Sequence, residues 1–213
     1  MEYFIGIDPS FNSTGICIQK FDNNIKINEY FIILKPGLNT KDKSKWLTKK
    51  EKFAEEQIFK FQYWFYNKHD LTPYKELNHY SEFWKTYNMC ICAKEIKNII
   101  YEFTKDNPER INIVMEGISY GSAQRTKSIF DLAGLNYLIR EKFINKENYF
   151  LTIVTPSEIK KFASGNGNCN KDIMIDLFIG SNPETIVIPK VDDIADSWFM
   201  CNYAYQIKKL SYI

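Results

Sequence analysis

Histidine is almost absent from this sequence: His69 and His79 are its only two. The five cysteines (Cys17, Cys90, Cys92, Cys169 and Cys201) include no C-x-x-C pair. A zinc site built on paired Cys and His ligands is therefore not indicated, and an odd cysteine count argues against a disulfide framework. Reduced structural thiols are expected. Long apolar runs are missing too, since nothing approaches the roughly 20 residues that span a bilayer. The first residues, Met1-Glu2-Tyr3, open directly on strand-like sequence rather than on a basic and apolar leader. An intracellular protein, neither secreted nor tied to a membrane, is the expectation. Excess charge of one sign is also lacking: 28 Lys and Arg against 26 Asp and Glu give +2, too little to argue for nucleic acid by itself.

What is present suits a folded domain. Hydrophobic residues make up 45% and charged residues 25% of 213, enough for one well-buried core and short of two full domains. One domain over residues 1–213 is expected. Charge is uneven locally. Eight lysines lie between Lys35 and Lys60 against Asp42, Glu51, Glu55 and Glu56, and Arg125, Lys127, Arg140, Lys142 and Lys146 form a second excess. Such patches attract phosphate, and equally make ordinary solvated helix faces.

The chain opens on Tyr3-Phe4-Ile5-Gly6-Ile7-Asp8, an apolar run ending on a carboxylate. A turn-rich segment leads to a second apolar run, Ile16-Cys17-Ile18, and a third follows at Tyr30–Leu34, stopped by Pro36-Gly37. This predicts a three-stranded meander. Residues 41–90 are charged and aromatic, with helical spacing in pieces, and are expected to form a helical, aromatic-rich insertion or cap, with a further helix over about 88–103. Ile111–Glu116 is a second apolar run ending on a carboxylate; a helix is expected over 122–143 and a strand over 149–154. Thr155-Pro156-Ser157-Glu158 carries a capping-box signature. After the Gly165–Asn168 loop, Asn170 caps a helix to about Phe178, with Gly180 just beyond, and a last helix runs over about 193–208. Three strands followed by alternating helices and strands define a mixed α/β sheet with helices packed on it.

Asp8 and Glu116 each end a strand, and strands of an open α/β sheet present functional groups at their carboxyl ends. Asp193-Ile194-Ala195-Asp196 adds two acids at i, i+3, on one face of a helix start. Alone, a D-x-x-D there is more often a capping device, and a strand ending in Asp is usually a strand meeting a turn. Together the four acids give oxygen donors without histidine or cysteine, a set suited to Mg²⁺ or Mn²⁺. Two such ions can serve phosphodiester hydrolysis from both sides of the scissile phosphate.

The ordered set Gly6-Ile7-Asp8-Pro9 with Gly15, then Glu116, then Lys160 and Lys171 flanking Gly165-Asn166-Gly167, then Asp193-Ile194-Ala195-Asp196, resembles the RuvC-like Holliday junction resolvases of the RNase H-like class. It covers about residues 1–34 and 108–207. The resemblance implies an α/β fold with a mixed five-stranded sheet, antiparallel over its first three strands and then parallel, with helices on both faces. It implies Asp8, Glu116, Asp193 and Asp196 as ligands of two Mg²⁺ or Mn²⁺ ions. Lys160 and Lys171 would meet DNA phosphate, Lys171 also serving the reaction, with Arg125 and Lys127 as further DNA contacts. Asp192 falls outside the D-x-x-D phase and suits a cap. The implied activity is cleavage of four-way junctions by a homodimer, with the 122–143 helix as candidate dimer surface. An aromatic wedge is expected soon after the middle acid; here Tyr120 stands four positions on, and Ser119 three. A lysine-rich chain of this size with so long an insertion fits a virus or phage, acting in the cytoplasm of a bacterial host or of a virus-infected cell.

Three other readings compete. The Gly6–Gly15 segment also looks like the first phosphate-binding turn of the actin and sugar-kinase ATPases, but no second such turn follows. A branched-DNA-binding module that does not cut would be signalled by a lost acid, and all four are present. An RNA–DNA hybrid nuclease or a transposase-like enzyme would use the same acids on another nucleic acid.

Overall fold

A computed structural model describes residues 1–37, 60–66, 78–106, 108–118, 126–144, 146–183 and 191–210. Six strands form one sheet: β1 (Glu2–Asp8), β2 (Thr14–Asp22), β3 (Ile25–Pro36), β4 (Lys60–Tyr66), β5 (Arg110–Glu116) and β6 (Tyr149–Val154), in the order β4-β3-β2-β1-β5-β6. The meander is as expected, with β1–β2 and β2–β3 antiparallel. Asn23 and Asn24 turn the second hairpin with φ of 48° and 64°, the left-handed pair that a two-residue turn requires. The remaining pairings, β1–β5, β5–β6 and β3–β4, are parallel.

Helices cover both faces. On one, α1 (Asn78–Phe103) and α2 (Thr126–Phe143) bring Ile96, Ile100, Leu135 and Ile139 onto Ile5, Ile7, Ile113 and Met115. On the other, α3 (Pro156–Ser164), α4 (Lys171–Ser181) and α5 (Val191–Leu210) bring Ile159, Met174, Phe178, Ile194 and Phe199 onto Phe4, Cys17, Phe31 and Val114. The strands separate these two sets by simple alternation. The expected α/β architecture, a mixed sheet antiparallel at its start and then parallel with helices on both faces, is thus present, with one strand more than the five expected.

That strand corrects part of the expectation for residues 41–90. Lys60–Tyr66 is not helical but pairs with β3 along its whole length. Its aromatics drop alternately to either face: Tyr63 joins the α5-side core and Tyr66 the α1-side core. A dense aromatic run satisfies either period, and pairing with an exposed edge decides for a strand. The following helix begins at Asn78 rather than about Asn88. Residues 38–59 and 67–77 lie outside the described residues, as do Ser119, Tyr120 and Arg125; Lys127 is in α2, but its side chain is not described.

Local signals set the helix ends. Thr155 and Glu158 form the reciprocal capping box, Gly165 closes α3 at φ 78°, and the Asn170 side chain accepts from Ile173 N–H. Gly180, expected just beyond α4, lies within it, because the buried Asn182 ends the helix by donating its backbone N–H to Phe178 and Ile179 carbonyls. All five cysteines are free. No helix among the described residues is long and apolar enough to cross a membrane.

Helix α5 crosses β1 and β2 at glycines. A Cβ at Gly6 would overlap the Ser197 carbonyl and lie 2.7 Å from Cys201 N; at Gly15 it would overlap the Asp193 carbonyl. These are backbone atoms, with nowhere to go. Gly6→Ala is expected to destabilise the protein by about 3 kcal/mol or more, the upper range for overpacking, read as a fall in thermal midpoint. A midpoint within about 2 °C of wild type would disprove this contact, given ~2–4 °C per kcal/mol in a protein of this size.

Candidate active site

Register brings the first two acids together. In the parallel β1–β5 pair, Ile7 stands beside Met115, so Asp8 and Glu116 end neighbouring strands one step further on. Both side chains point toward α5. Gly6, two residues before Asp8, touches α5, and Val114, two before Glu116, packs in the core with Ile194 and Ala195. The other two acids come from that helix: Asp193 lies against Gly15, itself the antiparallel partner of Asp8.

The four carboxylates feel one another. Burial and then the charges of Asp196, Glu116 and Asp193 hold the Asp8 carboxyl well above the usual carboxylate range. Glu116 is pushed up to about 7 by burial and by Asp196, against the pull of Lys160 and Lys171. Asp196 rises to about 6, burial again leading, with Lys171 and Lys160 opposing and Asp192 and Asp193 adding to the rise. Acids crowded in this way keep their protons to higher pH than usual, and a neighbouring cation helps them ionise.

Both expected lysines border the cluster. Lys171, the first residue of α4, lies 3.0 Å from Asp192 and 3.8 Å from Asp196. Burial disfavours its charge, but Asp192, Asp196 and Asp8 outweigh that and raise its pKa. Its side chain is 53% exposed, within reach of solvent-borne phosphate. Lys160, on α3, acts on Glu116 and Asp196. Asp192, expected as a cap, instead engages Lys171 from the first turn of α5.

Several supporting residues were not anticipated. Asn136, buried on α2, donates its amide to the Glu116 carbonyl at 2.7 Å and fixes the end of β5. The Ser13 hydroxyl donates to Asp193 Oδ2. Tyr63, from the added strand, is buried near Asp193, and burial with that negative charge raises the pKa of its phenol; the buried Lys35 lies 6.0 Å from its ring. A polar residue among apolar ones was the only sequence signal for Asn136, and Ser13 was hidden in an ordinary turn.

Asp8, Glu116, Asp193 and Asp196 are the residues that could hold a divalent cation. Among the described residues no three His, Cys, Asp or Glu side chains already converge as a finished cage. The fit is one of donor chemistry: hard carboxylate oxygens from two strand ends and a helix start, with Asp8, Glu116 and Asp196 raised by burial and by neighbouring acids, and two lysines beside them. The described helix α2 turns Leu135 and Ile139 inward, leaving Phe130 and Tyr137 outward at 75% and 58% exposure.

Strand order and the helices on both faces match the fold of a solved RuvC resolvase. Thermus thermophilus RuvC superposes with a TM-score of 0.51 at 11% identity, over 97% of this chain and 96% of that one. The yeast mitochondrial Holliday junction resolvase Ydc2 gives 0.49 at 15% identity over 96% and 80%, and fowlpox virus resolvase, solved with Holliday junction DNA, 0.42 at 16% over 96% and 98%. No family model and no curated protein sequence matches this chain. What this chain shares with Thermus thermophilus RuvC is the fold.

Proposed function

We propose that this protein is a structure-selective endodeoxyribonuclease that cuts Holliday junctions or other branched DNA by metal-dependent phosphodiester hydrolysis. The observation that carries the reading is the meeting of Asp8, Glu116, Asp193 and Asp196 at one end of the sheet, on a resolvase fold. These four would hold two Mg²⁺ or Mn²⁺ ions. When bound, such ions activate water and stabilise the leaving 3′ oxygen, leaving a 5′ phosphate. The chain's own part is to fix the acids through β1, β5 and α5 and to keep bulk water from Asp193. Lys171 and Lys160 balance the acids and meet the phosphate.

A homodimer suits a two-fold junction, each copy cutting one of two related strands. The outward Phe130 and Tyr137 of α2 support that helix as the contact surface. Tyr120, Arg125 and Lys127 remain proposed as DNA contacts, Tyr120 by stacking on an opened base. With Tyr120→Ala, a normal cleavage pattern and junction-opening signal would remove that role.

The deciding experiment compares a mobile four-way junction, Y-shaped DNA, linear duplex and an RNA–DNA hybrid, with Mg²⁺ or Mn²⁺. Paired symmetric nicks in the junction are expected. Cutting of the hybrid alone would make the protein a ribonuclease, and binding without cutting a recognition module. Lys171→Ala is expected to slow single-turnover cleavage by about 100-fold, with a much smaller loss of junction affinity from the missing phosphate contact. A wild-type rate would reject its part in the reaction.

A further inference from the structure

We propose that Ser13 is a positioning residue for Asp193, its hydroxyl fixing the direction in which that carboxylate meets a cation. This rests on the metal-dependent reading above. Ser13 ends the connection between β1 and β2 and is 5% exposed, and Asp193 is 9% exposed. Its Oγ donates to Asp193 Oδ2 across 180 residues of chain. Two residues on, Gly15 presses on the Asp193 backbone so closely that any Cβ there would overlap the carbonyl and stand 3.2 Å from Asp193 Cβ. One short segment thus holds Asp193 by backbone and by side chain.

The segment is itself stiff. Thr14 Oγ1 donates to the Ser10 carbonyl at 2.7 Å and accepts from the Ser10 N–H at 3.2 Å, closing the turn that carries Ser13. Thr14 then enters the sheet opposite Leu34. A carboxylate whose Oδ2 is engaged by a buried donor on such a frame cannot rotate freely about its last side-chain bond. The repulsion from Asp8 and Asp196 would otherwise turn Asp193 away from the cluster. Ser13 opposes that rotation, so the acid is oriented before a cation arrives. Partners of this kind, one bond out from a ligand, typically change metal affinity by 10- to 100-fold when removed.

The test is Mn²⁺ binding to the full chain by calorimetry, for wild type, Ser13→Ala, Ser13→Thr, Asp8→Asn, Asp193→Asn and the Ser13→Ala/Asp193→Asn pair. Ser13→Ala is expected to weaken Mn²⁺ about 10- to 100-fold, and Ser13→Thr, which keeps the donor, to restore most of it. On the Asp193→Asn background the Ser13 change is expected to add little, because the carboxylate whose direction toward the cation Ser13 fixes is already gone. Cleavage by Ser13→Ala should fall at limiting Mn²⁺ and recover at saturating Mn²⁺, with the KM for junction unmoved. Should the alanine variant lose its fold, Ser13→Cys keeps the volume with a weaker donor and is expected to show an intermediate loss. Wild-type affinity in a folded Ser13→Ala or Ser13→Cys, or an equal loss with and without Asp193, overturns the assignment. If Asp8→Asn abolishes Mn²⁺ binding while Ser13→Ala does not weaken it, only the role of Ser13 falls. If wild type binds no Mn²⁺, the metal-dependent reading falls with it.

Discussion

Asp8→Asn is expected to reduce junction cleavage by at least ~10³-fold, about 4 kcal/mol of transition-state stabilisation, while leaving junction binding largely intact. Asp8 is the acid on which the others converge: Asp196, Glu116 and Asp193 all raise its pKa, and it ends the strand lying between β2 and β5. Amide for carboxylate keeps the shape and removes the charge, so the fold should tolerate it. The repulsion inside the cluster should even relax. Binding survives because it rests on lysines and on the wider surface, which a single acid does not supply. The same change at Glu116, Asp193 or Asp196 is expected to act similarly. Single-turnover cleavage beside a binding titration separates the two quantities. Retained turnover in any two of the four variants would end the site assignment.

The second large effect is a reversal of pH dependence by metal. Glu116 at about 7 and Asp196 at about 6 lie above their ordinary values of 4.5 and 3.8. With raised pKa values in the folded state, the unfolded chain releases these protons first, so the folded form holds more of them between about pH 4 and pH 7. Stability without metal must then fall as pH rises through that window, and level off above it. A shift of two pKa units is worth about 3 kcal/mol. The two sites share one repulsion, so their sum is smaller than twice that figure. At ~2–4 °C per kcal/mol, the metal-free midpoint should drop by roughly 10 °C between pH 5 and pH 8. Saturating Mn²⁺ or Mg²⁺ should recover most of this at pH 8 and little at pH 5, where protons already neutralise the cluster. A metal-free midpoint that rises over this range, or a metal effect equal at both pH values, would contradict the arrangement.

Basic residues divide along the same lines. Lys171 sits against Asp192 and Asp196, where loss of its charge would change the field on the acid cluster. Arg110, by contrast, stacks 3.7 Å from the Phe150 ring and bonds Asn112, at the opposite end of β5 from Glu116. A positive charge in this protein therefore acquires its meaning from its place on the sheet. The +2 balance of the whole chain carries no such information.

Strands and caps were legible because their causes are local. Alternation and turn chemistry marked β1, β2, β3, β5 and β6, and the Thr155 capping box and Asn170 cap marked two helix starts. The aromatic run over Lys60–Tyr66 was not legible, since its side chains suit both a helix face and a two-sided strand, and only the open edge of β3 distinguishes them. Gly180 misled for a similar reason: a glycine often ends a helix, but the buried Asn182 ends this one.

By itself the sequence determined which residues could do chemistry here. It set four acids at two strand ends and one helix start, supplied no histidine or cysteine set to compete with them, and placed lysines before the last pair. Tertiary structure alone decided that those acids meet. The β1–β5 register puts Asp8 beside Glu116, and Gly6 and Gly15 admit α5 close enough to bring Asp193 and Asp196 over them. It also decided that Asp192 would engage Lys171 and that Ser13 would hold Asp193, 180 residues away. The physical reason is range: caps, turns and alternation act over a few residues, whereas charge repulsion, burial and close approach depend on distances that only the folded chain defines.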